Sequence, residues 1–107
     1  MLDEFAIMGD AITVFGADAQ QDKLLEEMAE LQKEILKHRL GEDNLVHIAE
    51  EIADVEIMLE QMKLIFCCTG TVKAIRANKL RRLEQRIRDA RMENAAEQAA
   101  DPEEAWI

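Results

Sequence analysis

The chain has 107 residues with a formal net charge of −10, and 49% of its residues are hydrophobic. This length fits a single domain, and the hydrophobic content excludes a disordered acidic tail. The acidic balance argues against nucleic-acid binding, which requires a basic surface, and no apolar run approaches the roughly 20 residues of a membrane span.

The start of the chain and its cysteines indicate a cytoplasmic protein. No basic segment followed by an apolar stretch, which is typical of an export signal, opens the sequence. Cys67 and Cys68 are the two cysteines, and because they are adjacent they suit neither a disulfide framework nor a complete zinc site.

Helices are expected throughout, because the chain contains only 4 Gly and 1 Pro and its apolar residues recur every three or four positions. The first predicted helix stops at Gly16, since glycine commonly ends a helix. Its apolar positions are Phe5, Met8, Ile12 and Phe15.

The second and third predicted helices are joined by a short turn at Leu40 and Gly41, so we expect them to be antiparallel neighbours. The second begins near Asp22, and its apolar positions are Leu24, Met28, Leu31 and Ile35. The third begins after Asp43 or Asn44 as N-cap. Its apolar positions, the expected packing seam, are Ile48, Ile52, Val55, Leu59, Met62 and Phe66.

The fourth predicted helix runs from about Thr71 to Arg91 and is rich in basic residues. Residues 67–93 contain 8 basic and 3 acidic residues, whereas residues 1–66 contain 16 acidic and 5 basic ones. Such a division suits a site for a cation together with an anion, although the two segments could equally attract each other across a helix interface.

We expect residues 1–93 to form one all-α domain that resembles a four-helix bundle. Residues 94–107 contain 4 acidic and no basic residues and are expected to form a flexible tail. Trp106 in this tail is expected to pack against a neighbouring helix or subunit.

An acidic block occurs twice in the sequence. Residues 24–31 and 48–55 both read apolar, any residue, Glu, Glu, apolar, Ala, acid, apolar. In each block the second Glu and the final acid are three residues apart, which places them on one face of a helix, about one turn apart. The candidate pairs are Glu27 with Glu30 and Glu51 with Asp54.

The two pairs are expected to meet, because Glu30 and Glu51 lie at equal distances from the turn, and so do Glu27 and Asp54. Four carboxylates that converge between helices repel one another and lose solvation, and a divalent cation relieves both costs. The donors are all oxygens, and neither histidine follows a Glu by three residues as in di-iron bundles, so we expect Mg²⁺ or Mn²⁺. The alternative is that these pairs are ordinary solvated helix surface.

The two blocks resemble the EExxE and ExxD signature of the MazG-like all-α nucleoside triphosphate pyrophosphohydrolases, and the resemblance covers about residues 12–88. It implies a MazG-type fold and cleavage of a nucleoside triphosphate, (d)NTP, to (d)NMP and pyrophosphate. Together with the thin core expected of four short helices, it implies a homodimer or homotetramer. The positions that match the family's Mg²⁺ ligands are Glu27, Glu30, Glu51 and Asp54.

The resemblance further implies basic residues that bind phosphates. A run in the fourth helix, Asn-Lys-Leu-Arg-Arg, is similar to the family's Asn-Lys-x-x-Arg pattern. Lys79 and Arg82 are therefore the main phosphate-binding candidates, with Asn78 as a secondary one. Lys73 and Arg76 are alternatives, and a neighbouring subunit could also supply these groups.

Hydrolysis needs a carboxylate that orients or deprotonates the attacking water. Glu26 and Glu50 stand next to the expected metal ligands Glu27 and Glu51 and are candidates for this role. Either could instead form hydrogen bonds to the ligands or lie on the solvated helix surface.

Recognition of the base is weakly specified by the sequence. Phe15 could stack on a base, although a phenylalanine in an apolar stripe commonly belongs to a core. Lys23 precedes the first acidic block on the same helix and is a candidate for contact with the nucleotide.

Two alternatives to a general (d)NTP pyrophosphohydrolase stay open. The same chemistry could act on phosphoribosyl-ATP or on a single dNTP of the dUTP or dCTP type. The non-enzymatic alternative is an acidic helical interaction module whose carboxylates are plain surface.

Overall fold

The computed structural model describes residues 1–99, and these residues contain four helices and no strand. The helices are α1 (Glu4–Phe15), α2 (Ala17–Arg39), α3 (Leu45–Ile65) and α4 (Thr69–Ala99). The all-α prediction is therefore confirmed over the described residues. The chain divides into two units, residues 1–69 with the first three helices and the residues from Gly70 onward with α4.

The connection between α1 and α2 consists of a single residue. Helix α1 ends at Phe15 as predicted, and Gly16 adopts a φ of 92°, a conformation that residues with a Cβ rarely take. Because Gly16 is the whole connection, α2 begins at Ala17, and the predicted start near Asp22 is wrong. At the other end of α1, Asp3 caps the helix by accepting a hydrogen bond from the Ala6 amide at 3.1 Å.

The turn between α2 and α3 follows the prediction more closely. Helix α2 ends at Arg39, and Gly41 has a φ of 105°, in the left-handed region expected of it. Of the two predicted N-caps of α3, the structure has Asn44 in that position. Its side chain makes no capping bond, and instead its Nδ2 donates to the backbone oxygen of Glu34 at 2.9 Å and to Glu34 Oε2 at 2.6 Å.

Helices α2 and α3 form an antiparallel hairpin, which is the largest helix contact of the first unit, and α1 packs against both. Asn44 at the start of α3 bonds Glu34 near the end of α2. Seven residues further along α3 and seven residues back along α2, Glu51 lies beside Glu27. A step of seven residues forward along α3 therefore corresponds to a step of seven residues back along α2, as in antiparallel helices.

The predicted packing seams are only partly correct. The buried apolar residues among those described are Met58 and Met62, while several predicted seam residues remain exposed. The exposed ones keep between 40% and 58% of their surface in solvent, and they are Met28, Ile35, Ile52, Leu59 and Phe66. The reason is that each helix of the hairpin carries two adjacent apolar rows, and only one of them turns toward the neighbouring helix.

Polar residues take up the rest of the space inside the first unit. The buried polar side chains are Gln20, Glu27, Asn44 and Gln61. Of these four, Asn44 forms hydrogen bonds across the hairpin, to Glu34, whereas Gln61 Oε1 is buried without a partner among the described residues.

Helix α4 is longer than predicted at both ends. It begins at Thr69 and continues to Ala99, so the predicted end near Arg91 is wrong and residues 94–99 of the expected tail are helical. Three alanines with Glu97 and Gln98 have high helix propensity, which accounts for the extension. The remaining part of the expected tail, with Trp106, lies outside the described residues.

Candidate metal centre

Three carboxylates of the α2–α3 hairpin converge. Glu27 on α2 and Glu51 and Asp54 on α3 each contribute a carboxylate oxygen, and these three oxygens all lie within 4.8 Å of one another. Glu27 is buried, Glu51 is half-buried and Asp54 is exposed. We call these three residues the acidic cluster. Because Asp54 is exposed, solvent reaches the cluster from the Asp54 side.

The hairpin positions the cluster through the helical repeat. Glu51 and Asp54 are three residues apart and project from the same face of α3, so one side chain on the facing helix can reach both. Glu27 occupies that facing position, one heptad from the bond between Asn44 and Glu34. The predicted convergence of these three acids between the two helices is thus present in the structure.

The fourth predicted ligand, Glu30, is not brought into the cluster. It is half-buried one turn further along α2, and its negative charge is one of the causes that raise the pKa of Glu51. The sequence paired Glu30 with Glu51 by counting outward from the turn, whereas the structure places Glu27 beside Glu51. A role for Glu30 as a metal ligand stays a prediction.

The electrostatics of the cluster divide its members. The Lys23 ammonium lies 3.1 Å from Glu27 Oε1, and its hydrogen bond holds the pKa of Glu27 below the ordinary value despite burial. Hydrogen bonding to Glu27, followed by burial, raises the pKa of Glu51. Burial and the negative charge of Glu27 raise the pKa of Asp54. The groups around Glu51 and Asp54 therefore favour the protonated carboxyl over the carboxylate.

One oxygen of the cluster lacks a partner. Glu51 Oε2 is buried and accepts no hydrogen bond within the described part of the chain. A buried carboxylate oxygen without a donor is costly, and coordination to a cation removes that cost. Asn44 Oδ1 and Gln61 Oε1 are likewise buried without a partner, so this oxygen fits a metal ligand together with the clustering rather than apart from it.

The donor chemistry favours a hard divalent cation. All three ligand atoms are carboxylate oxygens, which suit Mg²⁺ and Mn²⁺, and neither ion needs the nitrogen or sulfur donors that the cluster lacks. His47 lies elsewhere on α3, with Nδ1 3.6 Å from Glu50 Oε2. The residues present therefore fit Mg²⁺ or Mn²⁺ held by Glu27, Glu51 and Asp54.

The two predicted water-activating carboxylates are both exposed and lie outside the cluster. Glu26 Oε1 is 3.8 Å from the Lys23 ammonium, and Glu50 is paired with His47. Lys23 itself, predicted to contact the nucleotide, is engaged with Glu27 and Glu26 in this structure. Glu26 is thus linked to the cluster through Lys23, whereas Glu50 is exposed beside His47.

Basic residues form a stripe along α4. Arg76, Lys79, Arg82 and Arg86 line one shallow groove together with two leucines. The predicted phosphate ligands Lys79 and Arg82 belong to this stripe, and Arg86 is a member that the sequence analysis missed although it continues the spacing of three and four. Asn78 lies apart from it, because its Oδ1 accepts a hydrogen bond from Arg81.

Phe15, the predicted base-stacking residue, is exposed at the end of α1, which leaves its ring free to contact a ligand. Among the described residues, no helix has the length and apolar character that crossing a membrane requires. Comparison of the chain with family models, curated proteins and solved structures gives no match.

Proposed function

We propose that the chain is a divalent-cation-dependent nucleoside triphosphate pyrophosphohydrolase of the MazG-like type. The observation that carries this proposal is the acidic cluster on two facing helices, with one buried Glu51 oxygen that has no hydrogen-bond donor. A chain with a net charge of −10 attracts a triphosphate only if cations intervene.

The proposed reaction adds water across the bond between the α and β phosphates, giving a nucleoside monophosphate and pyrophosphate. A bound Mg²⁺ supplies neutralisation of the phosphate charge and activation of the attacking water. Glu27, Glu51 and Asp54 would hold the cation, and Glu26, exposed beside Lys23, is the proposed acceptor of the proton of the water.

The basic stripe of α4 is, on its own, a proposed binding surface for phosphate groups. Lys79 and Arg82, with Arg76 and Arg86 beside them, present four positive charges along one helix face. Guanidinium groups bind phosphate oxygens in a bidentate manner, which suits such a surface.

Release of pyrophosphate from a panel of NTPs and dNTPs, with phosphoribosyl-ATP included, tests the proposal with and without Mg²⁺. We expect Mg²⁺-dependent release that is lost in Glu51→Gln and retained in Glu56→Gln, an exposed α3 residue outside the cluster. No turnover of any substrate, together with no rise of Tm on adding Mg²⁺, would leave the acidic interaction module as the better hypothesis.

The exposed apolar residues of the hairpin support a second proposal, a homodimer. Met28 follows Glu27 on α2, and Ile52 follows Glu51 on α3; each step turns the side chain by about 100° around its helix axis. Because the two helices are antiparallel, both turns lead to the same side of the hairpin. Met28 and Ile52 therefore share one side, and Ile35 and Leu59 repeat it one heptad away. We call these four residues the apolar side.

A second copy is the occupant that best fits the apolar side. The described residues bury only two hydrophobic side chains, Met58 and Met62, which is little core for a chain of this length. Two hairpins paired through identical sides would form a four-helix arrangement with a two-fold axis. Glu30 and Asp54, turned the other way from the facing glutamates, would remain accessible in such a dimer.

A further inference from the structure

Lys23 is the basic residue that contacts the acidic cluster. Its Nζ lies 3.1 Å from Glu27 Oε1 and 3.8 Å from Glu26 Oε1, one turn earlier on α2. The other ion pairs of the described residues, such as those of Lys37 with Glu34 and Lys63 with Glu60, involve none of the three cluster acids. Within residues 1–99, Lys23 thus supplies the direct counter-charge for Glu27.

The exposure of the two partners is unequal. The Glu27 side chain keeps only 10% of its surface in solvent, whereas the Lys23 side chain keeps 49%. The carboxylate is therefore fixed between the helices, while the ammonium reaches it from the solvent side on a flexible four-carbon stem. Of the two groups, Lys23 is the one that can leave without unpacking the hairpin.

We propose that Lys23 occupies the place of the divalent cation at Glu27 and is released when that cation binds. The inference rests on the proposed metal site and deepens it, because it assigns Lys23 a role in both cation entry and triphosphate binding. A cation that coordinates Glu27 repels the neighbouring ammonium, since both carry positive charge and compete for the same carboxylate. The exchange replaces one positive charge by two and leaves Glu27 paired throughout.

The released ammonium stays close to the site that it has left. Lys23 remains anchored on α2 one turn from Glu27, on the same side of the hairpin as Asp54, whose charge also acts on it. There its three N–H donors are free for an anion that the bound cation attracts. Lys23 would thus neutralise Glu27 before the cation binds and contact triphosphate oxygens afterwards.

The test measures Mn²⁺ affinity in the absence of nucleotide for the wild type, Lys23→Met and the matched control Lys63→Met. Lys63 is paired with Glu60 on α3, so its replacement removes an equal charge away from the cluster. Lys23→Met should bind Mn²⁺ about five-fold more tightly than the wild type, because the competing ammonium is gone, and Lys63→Met should differ by no more than about two-fold.

The same variants should behave in the opposite way toward a non-hydrolysable triphosphate analogue added with saturating Mn²⁺. Lys23→Met should then bind the analogue about ten-fold more weakly, because a phosphate contact is missing, whereas Lys63→Met should match the wild type. Equal or weaker Mn²⁺ binding by Lys23→Met in the first titration would overturn the proposed exchange. Absence of Mn²⁺ binding by the wild type would overturn the metal site, and the exchange with it.

A measurement on the unaltered protein avoids dependence on the folding of the variant. Lysines are labelled with acetic anhydride in the presence and absence of Mg²⁺, and each site is quantified by mass spectrometry. Labelling of Lys23 should rise several-fold with Mg²⁺ while labelling of Lys63 stays constant, because only Lys23 loses its ion pair. Protection of Lys23 by Mg²⁺, or an unchanged rate, contradicts its release.

Discussion

The two sides of the α2–α3 hairpin have opposite chemistry although the same two helices build both. One side presents the acidic cluster with Lys23, and the other presents the apolar side, formed by Met28, Ile35, Ile52 and Leu59. A step of one residue along each helix separates the two, since Met28 follows Glu27 and Ile52 follows Glu51. The duplicated Glu-apolar pair thus places carboxylates at one side of the hairpin and exposed apolar residues at the other.

The largest expected effect is the loss of pyrophosphate release when Glu51 loses its charge. In Glu51→Gln we expect pyrophosphate release to fall by roughly 100-fold or more, since even residues behind a metal ligand commonly contribute 10–100-fold. The Tm of the metal-free protein should rise, because the carboxylate repels Glu27 and Asp54. Turnover assays and thermal melts on this variant and on Glu56→Gln make the comparison, and unchanged turnover in Glu51→Gln would refute the role of Glu51.

A charge placed within the apolar side should weaken self-association of the chain. Leu59→Lys is expected to weaken self-association by roughly 100-fold, because a symmetric interface contains the change twice at about 1–2 kcal/mol each. Val46→Lys is the control, since Val46 is also an exposed apolar residue of α3 but lies outside the apolar side. Sedimentation equilibrium measures the dimer dissociation constant of the wild type and of both variants. A wild type that is monomeric at micromolar concentration contradicts the dimer.

The hydrogen bonds from Asn44 to Glu34 are expected to fix the register of the hairpin, on which both the acidic cluster and the apolar side depend. Asn44 is 5% exposed and donates to both the backbone and the side chain of Glu34. In Asn44→Ala we expect a loss of about 1–3 kcal/mol in the free energy of unfolding, the usual cost of leaving a buried polar group unpaired. Denaturant unfolding measures it, and a change below about 0.5 kcal/mol would mean that the bond does not fix the register.

The smallest effect concerns acid sensitivity away from the cluster. The hydrogen bond from Asn44 lowers the pKa of Glu34, so its ionised form stabilises the fold above the ordinary glutamate range, and this contribution disappears as the pH falls through the lowered value. Glu34→Gln should therefore lose less stability than the wild type between pH 6 and about pH 3. The raised pKa values of Glu51 and Asp54 act in the opposite direction in both proteins, so the difference between the two urea-unfolding curves isolates Glu34.

Much of the fold could be predicted because apolar spacing and glycines are local signals. The ends of α1 and α2 follow from Gly16 and Gly41, and Asn44 was one of two named caps for α3. The start of α2 could not be predicted, since the sequence does not reveal that Gly16 alone connects the two helices. The full length of α4 could not be predicted, because an acidic, alanine-rich segment is also typical of a flexible tail.

The candidate site could be predicted in its residue types but not in its register. Counting symmetrically from the turn pairs Glu34 with His47, whereas the structure bonds Glu34 to Asn44, three residues earlier. That difference brings Glu27 beside Glu51 and leaves Glu30 outside the cluster. The observed register coincides with a side-chain bond between residues ten positions apart, which counting from the turn does not reveal. The division of the apolar residues into two rows is likewise a property of packing rather than of spacing.

Anomalous diffraction from crystals grown with Mn²⁺ tests the metal centre most directly. We expect a strong anomalous peak within coordination distance, about 2.2 Å, of oxygens from Glu27, Glu51 and Asp54. The same map from Glu51→Gln crystals should lack that peak. No peak at the cluster in the wild type, or a peak only at another acidic surface such as Glu4, Glu56 and Glu60, would contradict the account.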